Sequence, residues 1–388
     1  MTHLTRAVLG ALLLAPIATA CTSNSTSSSA GDEGTVTVTS TDDACEVSST
    51  SAPSGTLVFD VTNKGSKVTE FYLYAADGTK IVGEVENIGP GIKRQLVTRA
   101  APGSYVTACK PGMSGKGIRA DFTVKDSGQD AAVSGADQQL VDAASKDYAS
   151  FVREESDALL AGTAKFVAAY RAGDDARARA LYPVARTHWE RIEPVAESFG
   201  DLDPRMDARQ ADLAEGDRWT GWHLLEKDLW PPHGAGYRAL SGQQRTAYAD
   251  LLLADTRDLH GRVQKMTFSE DAIANGAKEL MDEVATGKVT GEEEIWSHTD
   301  LYDFQANLDG ARRGYQGLRP LLAKRDPALA TTLDARFTTL QSMLDRHRAG
   351  QGFVSYEKLS TTQVKELSDA VNALSEPLAG LTAAVVGL

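Results

Sequence analysis

Cysteine is scarce in this sequence, and positive charge is in deficit. Only three of the 388 residues are cysteine, which is too few for a fold built on disulfide bonds. The 40 Lys and Arg residues face 53 Asp and Glu residues, so the net charge is −13. An acidic surface repels phosphate, and the sequence therefore predicts no nucleic-acid partner.

The N-terminus lacks an apolar run long enough to cross a membrane as a helix. Residues 7–15, AVLGALLLA, follow Arg6 and have the length of the apolar part of a secretory signal peptide. Small residues then lead to Cys21, which resembles the lipid-attachment box of bacterial lipoproteins. We expect a lipoprotein signal peptide over 1–21, lipidation at Cys21 and a flexible Ser-rich tether over 22–33. The alternative is ordinary cleavage beside an incidental cysteine.

Histidine is absent from residues 34–125, where short alternating segments such as TVTVTS, TLVFDVTN and TEFYLYAA recur between turn residues. This pattern predicts an all-β sandwich. A blue-copper centre needs two histidines beside its cysteine. The run from Cys109 to Met113 therefore does not form one.

The rest of the chain is helical in pattern. Residues 126–135 form a small, polar linker, and residues 136–388 carry Ala, Leu, Arg, Glu and Asp at helical period. We predict an all-α bundle. Glycine and proline breaks predict helices near 137–172, 174–198, 206–230, 241–286, 292–324, 328–349 and 360–386.

Carboxylates recur at helical spacing around residue 190. Glu190, Glu193 and Glu197 are spaced i, i+3 and i+7, which predicts that they share one face of a helix. Asp203 follows in an acidic turn before Pro204. Such spacing is also common on solvated helix faces, so it does not by itself define a site.

An imidazole and a carboxylate follow at the same spacing. His223 and Glu226 are i, i+3 and are flanked by tryptophan and leucine, which indicates a buried segment. Buried charges must be paired or coordinated. Imidazole and carboxylates between packed helices are typical of a transition-metal site in a helical bundle.

Three runs carry a resemblance to a known family: HWERIEPVAESFGDLDP, GWHLLEKDLW and WSHTDLYDFQANLDGARRG. They resemble the imelysin-type helical domain of the EfeO family of extracytoplasmic iron-uptake components, and the β region resembles the cupredoxin-like domain of that family. The resemblance implies iron as the bound metal, ferrous or ferric, with copper or zinc as alternatives. It also implies three partners: a membrane iron permease of the EfeU type, a haem peroxidase of the EfeB type, and the membrane through the lipid anchor.

The resemblance also extends the set of candidate ligands. In the polar cluster from Glu292 to Asp303 it implies an acidic ligand, for which we choose Glu294. The full expected metal set is Glu190, Glu193, Asp203, His223, Glu226 and Glu294.

Cys45 and Cys109 leave two interpretations open. An exported protein permits a disulfide between them. The resemblance instead implies that the two cysteines bind a second metal together with an acidic residue, for which the candidates are Glu70 and either Glu84 or Glu86.

A zinc metallopeptidase is the alternative function, since imelysin-type domains have been classed with peptidases. The sequence contains no His-Glu-x-x-His motif. The inverted motif would need histidine after Glu226, where the chain has Lys227. We therefore expect a binding protein rather than an enzyme.

Overall fold

The computed structural model describes residues 35–113, 115–128, 137–213, 216–232 and 236–388, which belong to one compact unit. The predicted signal peptide with Cys21, the tether, and residues 129–135 of the linker lie outside these ranges. No helix within them is both long enough and apolar enough to cross a membrane.

Two facing sheets form a sandwich at the start of the described chain. One sheet has the strand order β2-β1-β4-β7, and the other has the order β3-β9-β8-β5-β6. The strands are β1 Thr35–Ser40, β2 Cys45–Val47, β3 Ser51–Pro53, β4 Gly55–Asn63, β5 Thr69–Ala75, β6 Ile81–Ile88, β7 Lys93–Ala100, β8 Gly103–Cys109 and β9 Ile118–Lys125. The predicted all-β sandwich is confirmed.

Alternation along the strands separates the two faces of each sheet. On β5, Phe71 and Leu73 point into the sandwich core, where Phe71 packs 5.1 Å from Phe59 between ring centroids. Tyr72 and Tyr74 form a separate cluster on the other face, because successive side chains of a strand point to opposite sides.

Cys45 and Cys109 form a disulfide in this sandwich. Cys109 is fully buried among the inward-facing residues, and the bond joins strands from different sheets. Of the two interpretations of these cysteines, the structure contains the disulfide, in which neither sulfur is a thiolate.

The second part of the chain is a bundle of helices, as predicted. The long helix α1 packs against α2, α6 and α8. The helices are α1 Gln138–Arg171, α2 Asp175–Glu190, α3 Glu193–Glu197, α4 Asp203–Met206, α5 Trp222–Leu229, α6 Gly242–Val263, α7 Glu270–Thr286, α8 Asp300–Arg325, α9 Pro327–Leu344, α10 Thr361–Leu378 and α11 Leu381–Val386.

Five of the seven predicted helices are wrong in extent. Those predicted over 174–198 and 360–386 are each divided into two, as α2 and α3 and as α10 and α11. The helix predicted over 206–230 is two short helices, α4 and α5, separated by turns and a short 3₁₀ helix at Gln210–Asp212. The helix predicted over 241–286 is interrupted between α6 and α7, where Phe268 packs edge-on against Tyr148 at 5.0 Å between ring centroids. The helix predicted from 292 begins only at Asp300. In these last three regions tertiary contacts override local helical propensity.

The sandwich and the bundle meet along α7. Oδ2 of Asp271 accepts a hydrogen bond from the backbone N–H of Arg99 at 2.6 Å, and Nδ2 of Asn275 donates to the carbonyl of Val97 at 2.9 Å. Side chains of α7 thus bind the backbone of β7, which brings the outer face of the neighbouring strand β6 close to the bundle.

Candidate metal centre

Helix α2 ends at Glu190 because of Pro194. Proline has no N–H, and its ring clashes with the carbonyl four residues earlier, which is that of Glu190. The freed carbonyl accepts a hydrogen bond from Nδ2 of Asn307 at 2.9 Å, and the same amide nitrogen lies 3.2 Å from Oε2 of Glu193. Glu190 and Glu193 are therefore neighbours in a buried position, although the predicted continuous helix between them is wrong.

Helix α5 begins directly after Gly221, whose φ of 91° lies in the left-handed region. A Cβ atom there would lie 2.1 Å from the carbonyl oxygen of Met206, so the chain can pass only with glycine. His223 and Glu226 then follow one turn apart, and both are fully buried. Nδ1 of His223 lies 3.2 Å from Oε2 of Glu226.

The loop before α8 takes its shape from two buried carboxylates. Oε1 of Glu226 accepts hydrogen bonds from the backbone N–H groups of Trp296 and Ser297, at 3.1 and 2.8 Å. Glu294 accepts from the hydroxyl of Tyr182 at 3.1 Å and from that of Ser297 at 2.8 Å. These bonds replace the backbone bonds of the helix predicted here.

Arg186 lies at the centre of the cluster and is fully buried. Its guanidinium contacts five carboxylates from four segments of the chain, so negative charge surrounds the group. The partners are Glu190 and Asp207 in close contact, Glu294 at 2.7 Å, Glu293 at 2.9 Å and Asp303 at 3.5 Å.

Lys288 is the second buried cation, in a short 3₁₀ helix (Lys288–Thr290) after α7. Its Nζ lies 2.5 Å from Oε2 of Glu190, 2.7 Å from Oε2 of Glu193 and 3.0 Å from Oε2 of Glu283. Arg186 and Lys288 both contact Glu190, so together they contact seven different carboxylates, and carboxylates still outnumber these two cations.

His223 presents its second ring nitrogen to another pair of carboxylates. Nε2 lies 3.3 Å from Oε1 of Glu293 and 3.5 Å from Oδ1 of Asp207, but it has no hydrogen-bond partner among the described residues. Oδ2 of Asp207 is oriented by the indole N–H of Trp189 at 2.7 Å. Both nitrogens of the imidazole therefore face carboxylate oxygens.

The pKa values of the cluster reflect its excess of negative charge. Burial, together with repulsion between neighbouring carboxylates, raises the pKa of Glu193 and Glu294 well above the usual range. Burial also acts to raise the pKa of Glu293, but Lys288 and His223 outweigh it and hold that pKa well below the usual range. Some of the carboxylates are thus stable only when they are protonated or when a further cation is present.

The pKa of His223 is raised, whereas burial ordinarily lowers the pKa of an imidazole. Burial and the charge of Arg186 lower the pKa of His223, but the interactions with the carboxylates of Glu226 and Glu293 outweigh them and raise it to about 10. A metal that binds His223 at neutral pH must therefore displace a proton from the ring.

Three overlapping groups of side chains offer ligand atoms that lie within 4.8 Å of one another. We name them the outer group (Glu190, Glu193 and Asp207), the middle group (Asp207, His223 and Glu293) and the inner group (His223, Glu226 and Glu294). Imidazole with carboxylates is a donor set that suits iron. The buried atoms without a hydrogen-bond partner, Nε2 of His223 and both carboxylate oxygens of Asp303, fit a site that takes a cation.

Most of the residues predicted from the sequence come together here. Glu190, Glu193, His223, Glu226 and Glu294 all belong to the three groups, whereas Asp203 does not and is half-buried beside them. Burial and the charge of nearby Asp207 raise the pKa of Asp203 to about 7. Asp207, four residues later, belongs to the outer and middle groups.

Sequence reasoning missed Asp207, Glu293, Arg186 and Lys288. The only local signal was the spacing of Arg186 and Glu190, i and i+4, which form an ion pair within α2. The other contacts join residues as far apart as Lys288 and Glu190, so no local pattern indicates them.

The glutamates proposed for a second metal site do not meet the cysteines. Glu84 and Glu86 lie on the face of β6 opposite its core residue Val85, whereas Cys109 belongs to the core. Glu70 accepts a hydrogen bond from Tyr72 on the outer face, at 2.7 Å. Because successive side chains of a strand point to opposite faces, these glutamates and the cysteines lie on opposite sides of the sheet. The structure thus does not bring together the second metal site that was predicted from the cysteines and an acidic residue.

Glu84 and Glu86 face the bundle instead. Glu84 and Glu86 line a cavity of about 20 Å³ between β6 and α7, together with Glu279 and Asp282. Burial and repulsion from Glu279 raise the pKa of Glu84 well above the usual range.

The fold and the buried histidine–carboxylate cluster define a class of two-domain proteins, in which a cupredoxin-like sandwich precedes an imelysin-type bundle. The family described as Imelysin matches residues 144–381, and the family described as Cupredoxin-like domain matches residues 11–124. The first match lies within the helical part, and the second covers the sandwich together with residues 11–34, which lie outside the described residues.

Full-length relatives narrow the assignment. "Iron uptake system component EfeO" of Yersinia pestis is 38% identical over 365 residues, which cover 93% of this chain and 94% of that protein. The protein of the same name from Escherichia coli O157:H7 is 36% identical over 365 residues, which cover 92% and 93%. This chain belongs to the EfeO family of iron uptake system components.

Proposed function

We propose that this protein binds iron outside the cytoplasmic membrane and delivers it to a membrane permease of the EfeU type. The observation that carries the proposal is the position of His223, fully buried with carboxylates near both ring nitrogens. Iron binds at His223, within reach of Asp207, Glu226, Glu293 and Glu294. The excess of buried carboxylates favours a cation over an anionic or apolar ligand.

The remaining features of the proposed role concern location and partners. The N-terminal segment 1–21 acts as a lipoprotein signal, and lipidation of Cys21 holds the protein at the membrane with residues 22–33 as a tether. Residues 34–125 and 136–388 form the two domains, joined by the linker 126–135. A haem peroxidase of the EfeB type is the further partner of the uptake system.

Anomalous diffraction tests the proposed iron site. Crystals of the full protein are loaded with ferrous iron under anaerobic conditions, and data are collected on both sides of the iron absorption edge. We expect an anomalous peak within coordination distance of His223 and at least two carboxylates. A peak elsewhere, or no peak in protein that binds no iron by calorimetry, would contradict the proposal.

Competition experiments define the selectivity of the site. Cupric and zinc ions compete with iron for imidazole and carboxylate donors, and copper is the stronger binder in most such sites. Titration of iron-loaded protein with each ion measures whether either displaces iron. No feature of the described residues favours the zinc-peptidase alternative.

A further inference from the structure

The three groups of potential ligands form a continuous row. The outer and middle groups share Asp207, and the middle and inner groups share His223. A cation can therefore pass from one group to the next without losing all of its ligands. Partly exposed side chains reach the row at two places. Lys288 connects the outer group to Glu283, which is 28% exposed, and Glu293 of the middle group lies 3.6 Å from Arg209, which is 31% exposed.

Lys288 lies on three carboxylates that become progressively more buried. The side chain of Glu283 is 28% exposed, that of Glu193 is 5% exposed and that of Glu190 is 0% exposed. All three have Oε2 within 3.0 Å of the ammonium group. The lysine thus spans the distance from the edge of the cluster to its interior.

The ammonium group lies against ligands of the outer group that a metal ion would also need, while Arg186 contacts Glu190 and Asp207 of the same group. Nζ contacts both Glu190 and Glu193, which are two of the three ligands of that group. A metal ion and an ammonium group cannot share these oxygens, because both are cations that require them. The long, flexible stem of lysine allows the ammonium to move while it keeps a carboxylate partner.

We propose that Lys288 is a displaceable counter-ion, which occupies the outer group in the metal-free protein and moves onto Glu283 when a metal ion enters. This inference rests on the proposed function, since it concerns the same site. Lys288 stabilises the otherwise repulsive carboxylates before loading. It also lowers the affinity for the metal, because loading must break its contacts with Glu190 and Glu193, and this makes release easier.

Calorimetry with Lys288→Met tests the inference. Methionine has a similar length but no charge, so loss of the competing cation should tighten binding of ferrous iron, under anaerobic conditions, by about tenfold or more. Lys365→Met is the matched control, because Lys365 is an exposed lysine paired with Asp369 on α10. It should leave the affinity unchanged.

A charge-conserving variant covers the case in which Lys288→Met does not fold. Lys288→Arg keeps the charge but pairs with carboxylates through a planar fork that is harder to displace. We expect it to bind ferrous iron no more tightly than the wild type. Tighter binding by Lys288→Arg would overturn the inference.

A measurement without metal separates the counter-ion role from simple packing. The melting temperature of metal-free Lys288→Met should fall, and the second substitution Glu193→Gln should restore part of it by removing one unpaired negative charge. If the second substitution lowers the melting temperature further, packing rather than charge explains the role of Lys288 and the inference is wrong.

The two proposals fail in different ways. Wild-type protein that binds iron, with equal or weaker binding by Lys288→Met, contradicts the counter-ion inference alone. Wild-type protein that binds no iron contradicts the proposed function. The inference also fails in that case unless Lys288→Met acquires binding.

Discussion

His223 and Glu226 lie one turn apart on α5, with Nδ1 of the imidazole 3.2 Å from Oε2 of the carboxylate. The other oxygen of Glu226 accepts hydrogen bonds from the backbone of Trp296 and Ser297. Glu226 thus orients the imidazole and also attaches the loop before α8 to the same position. An i, i+3 pair that is local in sequence connects two distant parts of the bundle.

Substitution His223→Ala should weaken ferrous iron binding by about tenfold or more, because it removes the only imidazole of the three groups. Isothermal calorimetry measures the affinity. His260→Ala is the control, since His260 forms an exposed pair with Asp157 at 2.7 Å outside these groups. An equal loss of affinity in both variants would show that His223 has no special role.

Substitution Glu226→Gln tests the charge of this residue separately from its hydrogen bonds. The amide oxygen can still accept from the backbone of Trp296 and Ser297, but the negative charge beside His223 is lost. We expect iron affinity to fall on the order of tenfold while the circular dichroism spectrum stays unchanged. Glu155→Gln, in the separate pair with His188, should keep wild-type affinity.

Glu279 should make stability depend on pH. Burial, with repulsion from Asp282 and Glu283, raises its pKa from the usual 4.5 to about 7, against the opposing effect of Lys278. A raised folded-state pKa means that the folded protein binds the proton more tightly. The contribution of Glu279 to stability is therefore complete below about pH 4.5 and is lost as the pH rises through 7.

Urea denaturation at pH 5 and pH 8 measures this effect. Wild-type protein should lose more free energy of unfolding between the two pH values than Glu279→Gln, which is neutral at both. Each pKa unit between folded and unfolded states corresponds to about 1.4 kcal/mol. Glu366→Gln, an exposed site on α10, is the control and should behave as wild type. Parallel pH profiles of wild type and Glu279→Gln would refute the prediction.

The disulfide should stabilise the sandwich without contributing to the metal centre. Replacing Cys45 and Cys109 by serine removes a crosslink across 64 residues, which typically costs about 2–4 kcal/mol. Amide hydrogen exchange of peptides from residues 35–125, measured by mass spectrometry, follows the sandwich. All five tryptophans lie at or after Trp189, so their fluorescence follows the bundle separately. Iron affinity should stay within twofold of wild type; a larger loss would link the cysteines to the site.

Membrane attachment should depend on Cys21. Substitution Cys21→Ala removes the sulfur to which a lipid would be attached, and we expect the protein to move from the membrane fraction to the soluble extracytoplasmic fraction. Fractionation followed by mass spectrometry of the N-terminus measures this. Thr22→Ala should remain with the membrane, and retention of both variants would argue against lipidation.

Local patterns predicted the parts of the site that depend on a single turn of helix. His223 and Glu226 were found from their spacing, because neighbouring turns of a helix bring i and i+3 together whatever the rest of the fold. The proximity of Glu190 and Glu193 was also predicted, but for the wrong reason. Pro194 breaks the helix between them, and Asn307 contacts both residues from α8.

Contacts across the bundle were beyond the reach of local patterns. Asp207 follows Asp203 by four residues. The sequence alone does not indicate which of the two side chains points toward His223. Arginine and lysine usually lie on the protein surface, yet Arg186 and Lys288 are both buried. Their partners lie in segments that only the packing of α2, α7 and α8 brings together.

By itself, the sequence determined the two domain types and the His223–Glu226 pair, because strand alternation, helical period and i, i+3 spacing act over a few residues. The tertiary structure alone decided the balance of charge in the centre. It placed Lys288 in contact with Glu190, 98 positions earlier in the chain. It also placed Glu84 and Glu86 on the face of the sheet opposite the disulfide. Burial then made these long-range pairings obligatory, since a charge removed from water must find a partner wherever the fold provides one.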